Sequence, residues 1–141
     1  MKRRVLASLI LLLVGLLALT LPAVADQAVA GKHLQRAKAL QQKNFLAQAQ
    51  IELQLAIKAA PAWDRPYADQ ALFFVHVNNT PGALQSWQAA IQRSPKNPDH
   101  HKGLALVLAS EGRLDEAAAS WQTVARLRPK AIEPLARLVV I

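Results

Sequence analysis

Between Asp64 and Pro95 the apolar residues fall at helical intervals and polar ones punctuate them. Tyr67, Ala71 and Phe74 stand at i, i+4 and i+7, one stripe of a helix. Asn78 and Asn79, which tolerate left-handed geometry, interrupt the stripe, and Ala83, Trp87, Ala90 and Ile91 resume it. Asp64-Arg65-Pro66 predicts the first helix start, with Asp64 as cap and Pro66 accepted in the first turn. Thr80-Pro81 predicts the second start, as N-cap and N1, and Ser94-Pro95 predicts its end. The next stretch follows the same scheme: Asn97-Pro98 opens, Gly112 turns and Arg128-Pro129 closes. These signals predict an all-α chain of short amphipathic helices joined by tight turns.

A longer period lies over the helical one. Pro61, Pro95 and Pro129 are evenly spaced, and Ala49, Ala83 and Ala117 repeat at the same interval. That interval also relates Leu53, Trp87 and Trp121, and Ala56, Ala90 and Val124. Upstream in each unit it relates Ala37, Ala71 and Ala105, then Leu40, Phe74 and Leu108, then the turn residues Asn44, Asn78 and Gly112. Seven columns keep one register without an insertion. One unit of two helices has too little apolar surface to form a core, so stacking must reuse the same face. Small side chains at the alanine columns let the helices of a pair approach. Trp87 and Trp121 then act as core wedges between pairs.

This pattern resembles the tetratricopeptide repeat (TPR) family. The resemblance covers Ala30 to Pro129 as three consecutive units, and its carriers are the two alanine columns, the Leu40/Phe74/Leu108 column and the terminal prolines. It implies an α-α superhelix (solenoid) of three helix pairs plus a short C-terminal capping helix. The repeats would span about 30–63, 64–97 and 98–131, with a partial cap at 132–141. Where the family often places Trp early in the first helix, this chain has His33, Tyr67 and His101. The first helices of such repeats line a concave groove. That implies a partner-binding face made by Lys38, Gln41, Gln42, Arg65, Leu72, Val75, His76, Lys102 and Leu106, with Leu34, Ala68, Asp99, Ala109 and Ser110 on the same stripes. The groove is expected to be apolar along its middle, with Lys38, Arg65, His76 and Lys102 at its edges, and to suit a peptide or helix with apolar anchors and a few acidic groups. Some family members clamp a C-terminal carboxylate with Lys, Asn and Arg. Only Lys102 fits that pattern here, because Leu34, Ala68, Leu72 and Leu106 replace the polar members.

The N-terminus adds an address. Met1-Lys2-Arg3-Arg4 is basic, and Val5 to Ala25 carries no charge. Pro22 and the small residues Ala23 and Ala25 form an A-x-A site before Asp26, as in a secretory signal peptide. The same run is long enough to span a bilayer if uncleaved. Two outcomes follow: an exported, periplasmic domain over 26–141, or one anchored in the inner or thylakoid membrane through residues 5–25. Loss of Lys2, Arg3 and Arg4 would lower the net charge from +8 to +5, so much of the basic balance belongs to the leader. Scattered Lys and Arg without a basic run do not point to nucleic acid.

The chain contains no cysteine, which excludes disulfides, thiolate chemistry and lipoprotein acylation. His33, His76, His100 and His101 show no metal-ligand spacing, no base accompanies Ser86 or Ser120, and no glycine-rich phosphate loop is present. No catalytic residue, cofactor or metal is therefore predicted. The expected role is a non-enzymatic adaptor or scaffold that binds another protein of the cell envelope; the alternative is a membrane-anchored assembly factor. Val140 and Ile141 end the chain on an apolar note and could serve self-association.

Overall fold

A computed structural model describes residues 26–129. Among the described residues six helices succeed one another: α1 over 26–42, α2 Leu46–Ala59, α3 Arg65–His76, α4 Thr80–Arg93, α5 Pro98–Ser110 and α6 Leu114–Leu127. They form three hairpins, and the packing is sequential: α3 on α4, α5 on α6, and α2 and α4 on the helix that follows each. The predicted leader at 1–25 and cap at 132–141, with Val140 and Ile141, lie outside the described residues.

The turn column explains the hairpins. Asn44, Asn78 and Gly112 all adopt positive φ, 62°, 56° and 73°. Each ends its helix with the same pair of hydrogen bonds. Phe45 N donates to Leu40 O and Asn44 N to Gln41 O, and this repeats at Asn79→Phe74 with Asn78→Val75 and at Arg113→Leu108 with Gly112→Ala109. This is the Schellman arrangement, which needs a left-handed residue just past the helix and therefore favours Asn or Gly there.

Two predicted starts shift. Asn79, not Thr80, is the N-cap of α4, and its Oδ1 accepts from Gly82 N at 3.0 Å. Because Asn78 already makes the left-handed turn, Asn79 is extended enough for its side chain to reach N3, and Thr80 becomes the first helical residue. Asp64 precedes α3 but does not cap it. Its backbone is already helical (φ −71°, ψ −32°), which turns the carboxylate away from the helix end. Asn97 does cap α5, accepting from Asp99 N at 3.1 Å.

The six column alanines Ala37, Ala71, Ala105, Ala49, Ala83 and Ala117 are buried, as are Leu53, Trp87 and Trp121. Phe74 is only half-buried; it packs over the α3–α4 turn, where Gly82 leaves room for its ring. Phe73 is the fully buried member of the pair and belongs to the core between the first and second hairpins. A solenoid helix buries two faces, one against its own partner and one against the preceding hairpin, so a single stripe under-reads it. Val107, one period after Phe73, is buried in the next junction in the same way.

The column that departs from the family pattern ties down the loops. Tyr67 Oη donates to Pro61 O (3.1 Å), and one period later His101 Nε2 meets Pro95 O (2.8 Å). His33 Nδ1 instead meets Glu52 Oε2 across the first hairpin (2.6 Å). Arg93 reinforces the Tyr67 site: its guanidinium stacks 3.6 Å above the ring and donates to Pro61 O and the Tyr67 hydroxyl.

Candidate binding groove

Two clefts open side by side along the face formed by α1, α3 and α5. The first, about 430 Å³, lies between α1 and α3. Lys38, Gln41, Arg65 and Leu72, four residues of the expected partner-binding face, line it together with Gln35 and Asp69, and Leu53 of α2 forms its floor. The second, about 390 Å³, lies between α3 and α5 and is lined by Leu72, Val75 and Leu106 over Trp87. Leu72, Val75 and Leu106 are 56%, 47% and 41% exposed, large apolar side chains in a concave surface open to solvent. The repeat places them: Leu106 is one period after Leu72, and both sit on the first helix of a pair.

The remaining predicted residues sit elsewhere. Gln42 and His76 are exposed at the C-terminal ends of α1 and α3, Lys102 is half-buried on α5, and none of the three lines either cleft. Leu34 is buried at the base of the first cleft. Ala68 faces the core around Trp87, one step round the helix from the groove. Ser110 lines the second cleft, whereas Asp99 pairs with Arg128 (3.0 Å). The groove is therefore not apolar in the middle with charged edges. It is polar at the α1–α3 end and apolar at the α3–α5 end.

Asp69 is the main residue that the stripe reading missed. It lies four residues after Arg65 and three before Leu72, so helical spacing alone places it on the same face. Its Oδ2 is 3.8 Å from Arg65 Nε. Burial pushes its carboxyl above the ordinary range, while the charges of Arg65 and Lys38 pull partly back.

The floors of the clefts differ for a steric reason. Gly103 takes the place of Asp69 one hairpin on, and a Cβ there would overlap the Trp87 indole. The wide ring at Trp87 thus requires glycine on the facing turn of α5. Leu53 at the first floor is smaller and coexists with Asp69. Behind the second cleft, His100 is buried, its ring centroid 6.0 Å from that of Trp87, and its Nε2 lies 2.6 Å from Asp64 Oδ2. Burial alone would raise the Asp64 carboxyl. The hydrogen bond from His100, the backbone and Asn97 outweigh it and hold the group below its usual range.

The groove offers apolar contact, two cations and one carboxylate, the means of non-covalent recognition. Among the described residues no group of three or more His, Asp or Glu could hold a metal ion, and no helix is long and apolar enough to cross a membrane.

No protein-family model matches the chain, and no curated protein does. Solved structures match it well. The Arabidopsis OM64 TPR domain superimposes with a TM-score of 0.70 at 18% identity, over 82% of this chain and 95% of that one. The first TPR of Spaghetti (RPAP3), bound to an HSP90 peptide of sequence SRMEEVD, gives 0.72 at 13% identity, over 81% and 90%. MamA gives 0.70 at 17% identity, over 79% of this chain and 65% of its own. Paired helices, Schellman turns and these superpositions agree: the chain has the fold of tetratricopeptide repeat domains.

Proposed function

We propose that the protein is a non-enzymatic adaptor that holds a segment of another protein in its concave groove. One observation carries this reading: Leu72, Val75 and Leu106 stand exposed together over a continuous concave surface built on helices rather than loops. Exposed apolar groups clustered in a concavity mark binding surfaces. Helices packed in series hold the surface in place before a partner arrives, which lowers the ordering cost of association. The first and second TPR domains of RPAP3, which share the fold, are solved with an HSP90 and an HSP70 peptide. The basic start and the uncharged run of the leader support an exported protein with a partner in the cell envelope. The same run supports a second reading, an assembly factor anchored in a membrane by residues 5–25.

The test is a photo-crosslinking residue at Leu72 of the full-length chain in cells, with captured segments and the N-terminus read by mass spectrometry. A recurrent protein segment crosslinked from Leu72, absent when the label sits at exposed Gln85 on α4, supports the adaptor. A chain beginning at Asp26 supports export with cleavage, and one retaining Lys2 supports the anchored form. No crosslink specific to Leu72 overturns the groove as a binding surface.

A further inference from the structure

The three groove columns change character along the superhelix. In register they read Gln35, Asp69, Gly103; Lys38, Leu72, Leu106; and Gln41, Val75, Ala109. Every first member is polar and every last member is small or apolar. The α1–α3 cleft therefore carries the side chains of Lys38, Arg65 and Asp69, a sum of one positive charge, whereas no ionisable side chain lines the α3–α5 cleft. A single carboxylate balances the first cleft; a second would be left without a counter-charge. The second cleft, with Asn78, Thr80 and Ser110 as its polar members, would take water from a charge placed in it without offering a counter-charge, which is costly.

From this gradient we infer that the groove takes a protein segment bearing one apolar side chain for the α3–α5 cleft and one carboxylate for Lys38 and Arg65, rather than a multiply acidic tail. The inference rests on the adaptor reading and specifies its partner. Neighbouring clefts are one helix spacing apart, about 8–10 Å. An extended chain rises about 3.3 Å per residue, so the two groups stand about three residues apart. Asp69 sets the count of carboxylates: standing 3.8 Å from Arg65, it offsets one of the two cations and leaves room for one acidic group from a partner.

Full-length protein is to be titrated with acetylated and amidated nonapeptides in a Ser/Gly background. These carry Leu alone, Asp alone, Leu and Asp three residues apart in either order, or two Asp, and SRMEEVD serves as the acidic-tail probe. The expected result is that one order of the Leu/Asp peptide binds at least about tenfold tighter than either single-feature peptide, since each group adds more than about 1.4 kcal/mol. Leu106→Gln removes only the gain from Leu. The Lys38→Gln, Arg65→Gln double variant removes only the gain from Asp, which also falls with salt. Tighter binding of the two-Asp peptide or SRMEEVD, a gain from Asp that survives loss of both cations, or no difference among the peptides overturns the inference. Crosslinking from Leu72 separates the levels. Captured segments lacking this pairing refute the partner chemistry and leave the adaptor standing, whereas no capture refutes both.

Discussion

The two junctions between hairpins solve one packing problem with different residues. At the first, Leu53 forms the floor and Asp69 fits beside it; at the second, Trp87 forms the floor and Gly103 makes way. At the first, Ala30 and Pro66 occupy the places that Asp64 and His100 hold at the second. So one junction is apolar behind a polar cleft, and the other has a hydrogen-bonded Asp64–His100 contact behind an apolar cleft. The repeat constrains the space, not the chemistry. Enlarging the core residue displaces the polar side chain from the groove, so packing inside and recognition outside are linked.

The largest expected effects come from removing the wedges. Trp87→Ala should cost about 3–5 kcal/mol and Leu53→Ala about 2–5 kcal/mol, read from urea midpoints. Both residues are buried, 5% and 3% exposed, so near-zero cost at either would refute the wedge role. Gly103→Ala tests the coupling directly. The helix itself would favour alanine by up to about 1 kcal/mol, but the added methyl meets a buried indole. Overpacking of about 1–3 kcal/mol outweighs that gain, leaving an expected net loss of up to about 2 kcal/mol. Adding Trp87→Leu, which recreates the first junction's floor, should absorb part of that loss. Additive costs in the double variant would show that glycine is not there for the ring.

Much of this was legible in the sequence because some positions admit few residues. Left-handed turns accept Gly or Asn, and Asn44, Asn78 and Gly112 announce all three hairpins. The alanine columns are legible because close helix approach excludes anything larger. The cap of α4 was not, since Asn79 and Thr80 are both competent and only the turn geometry chooses between them. Phe73 and Phe74 are adjacent, and the stripe facing α4 favours the one that is less buried. The Asp64–His100 contact falls off the repeat register and so follows no column. Asp69 was readable from spacing alone; its weight comes from burial and from two cations on different helices, which spacing does not convey.

The titration of the two aspartates sharpens the contrast, because their shifts have opposite sign. Asp64 is lowered in the fold, so it contributes stability above the unfolded carboxyl value of about 3.9, and that contribution is lost as pH falls through its folded value. Asp69 is raised, so its stabilising contribution belongs to the protonated form and is lost as pH rises through its folded value. Asp64→Asn should therefore destabilise at pH 7, with the gap to the native chain closing on acidification below about pH 4. Asp69→Asn should be neutral or stabilising at pH 7, with its gap also closing in acid. Matching slopes for the two variants would mean that the junctions do not differ electrostatically.

Loss of the Asn79 cap comes next in size. Asn79→Ala should cost about 1 kcal/mol, because Gly82 N loses its acceptor at the start of α4. Asp64→Ala at the start of α3 removes no cap, so its cost reports the carboxylate's hydrogen bonds, chiefly that with His100 and also that with Asn97. A thermal melt separates the two if each is repeated in a His100→Ala background: the Asn79 effect should persist in full and the Asp64 effect should shrink to what the Asn97 and backbone bonds contribute.

The smallest effect falls on the groove itself. Arg65 is 65% exposed and its 3.8 Å contact with Asp69 is an i, i+4 pair in water, worth about 0.3–0.5 kcal/mol. Arg65→Gln should therefore barely move the melting temperature. Yet the same change removes one of the two cations of the α1–α3 cleft, and should weaken an acidic segment there far more than it weakens the fold. A stability loss as large as the loss of binding would place Arg65 in the framework. A loss of binding alone would place it in recognition, where the polar end of the groove differs from the apolar one.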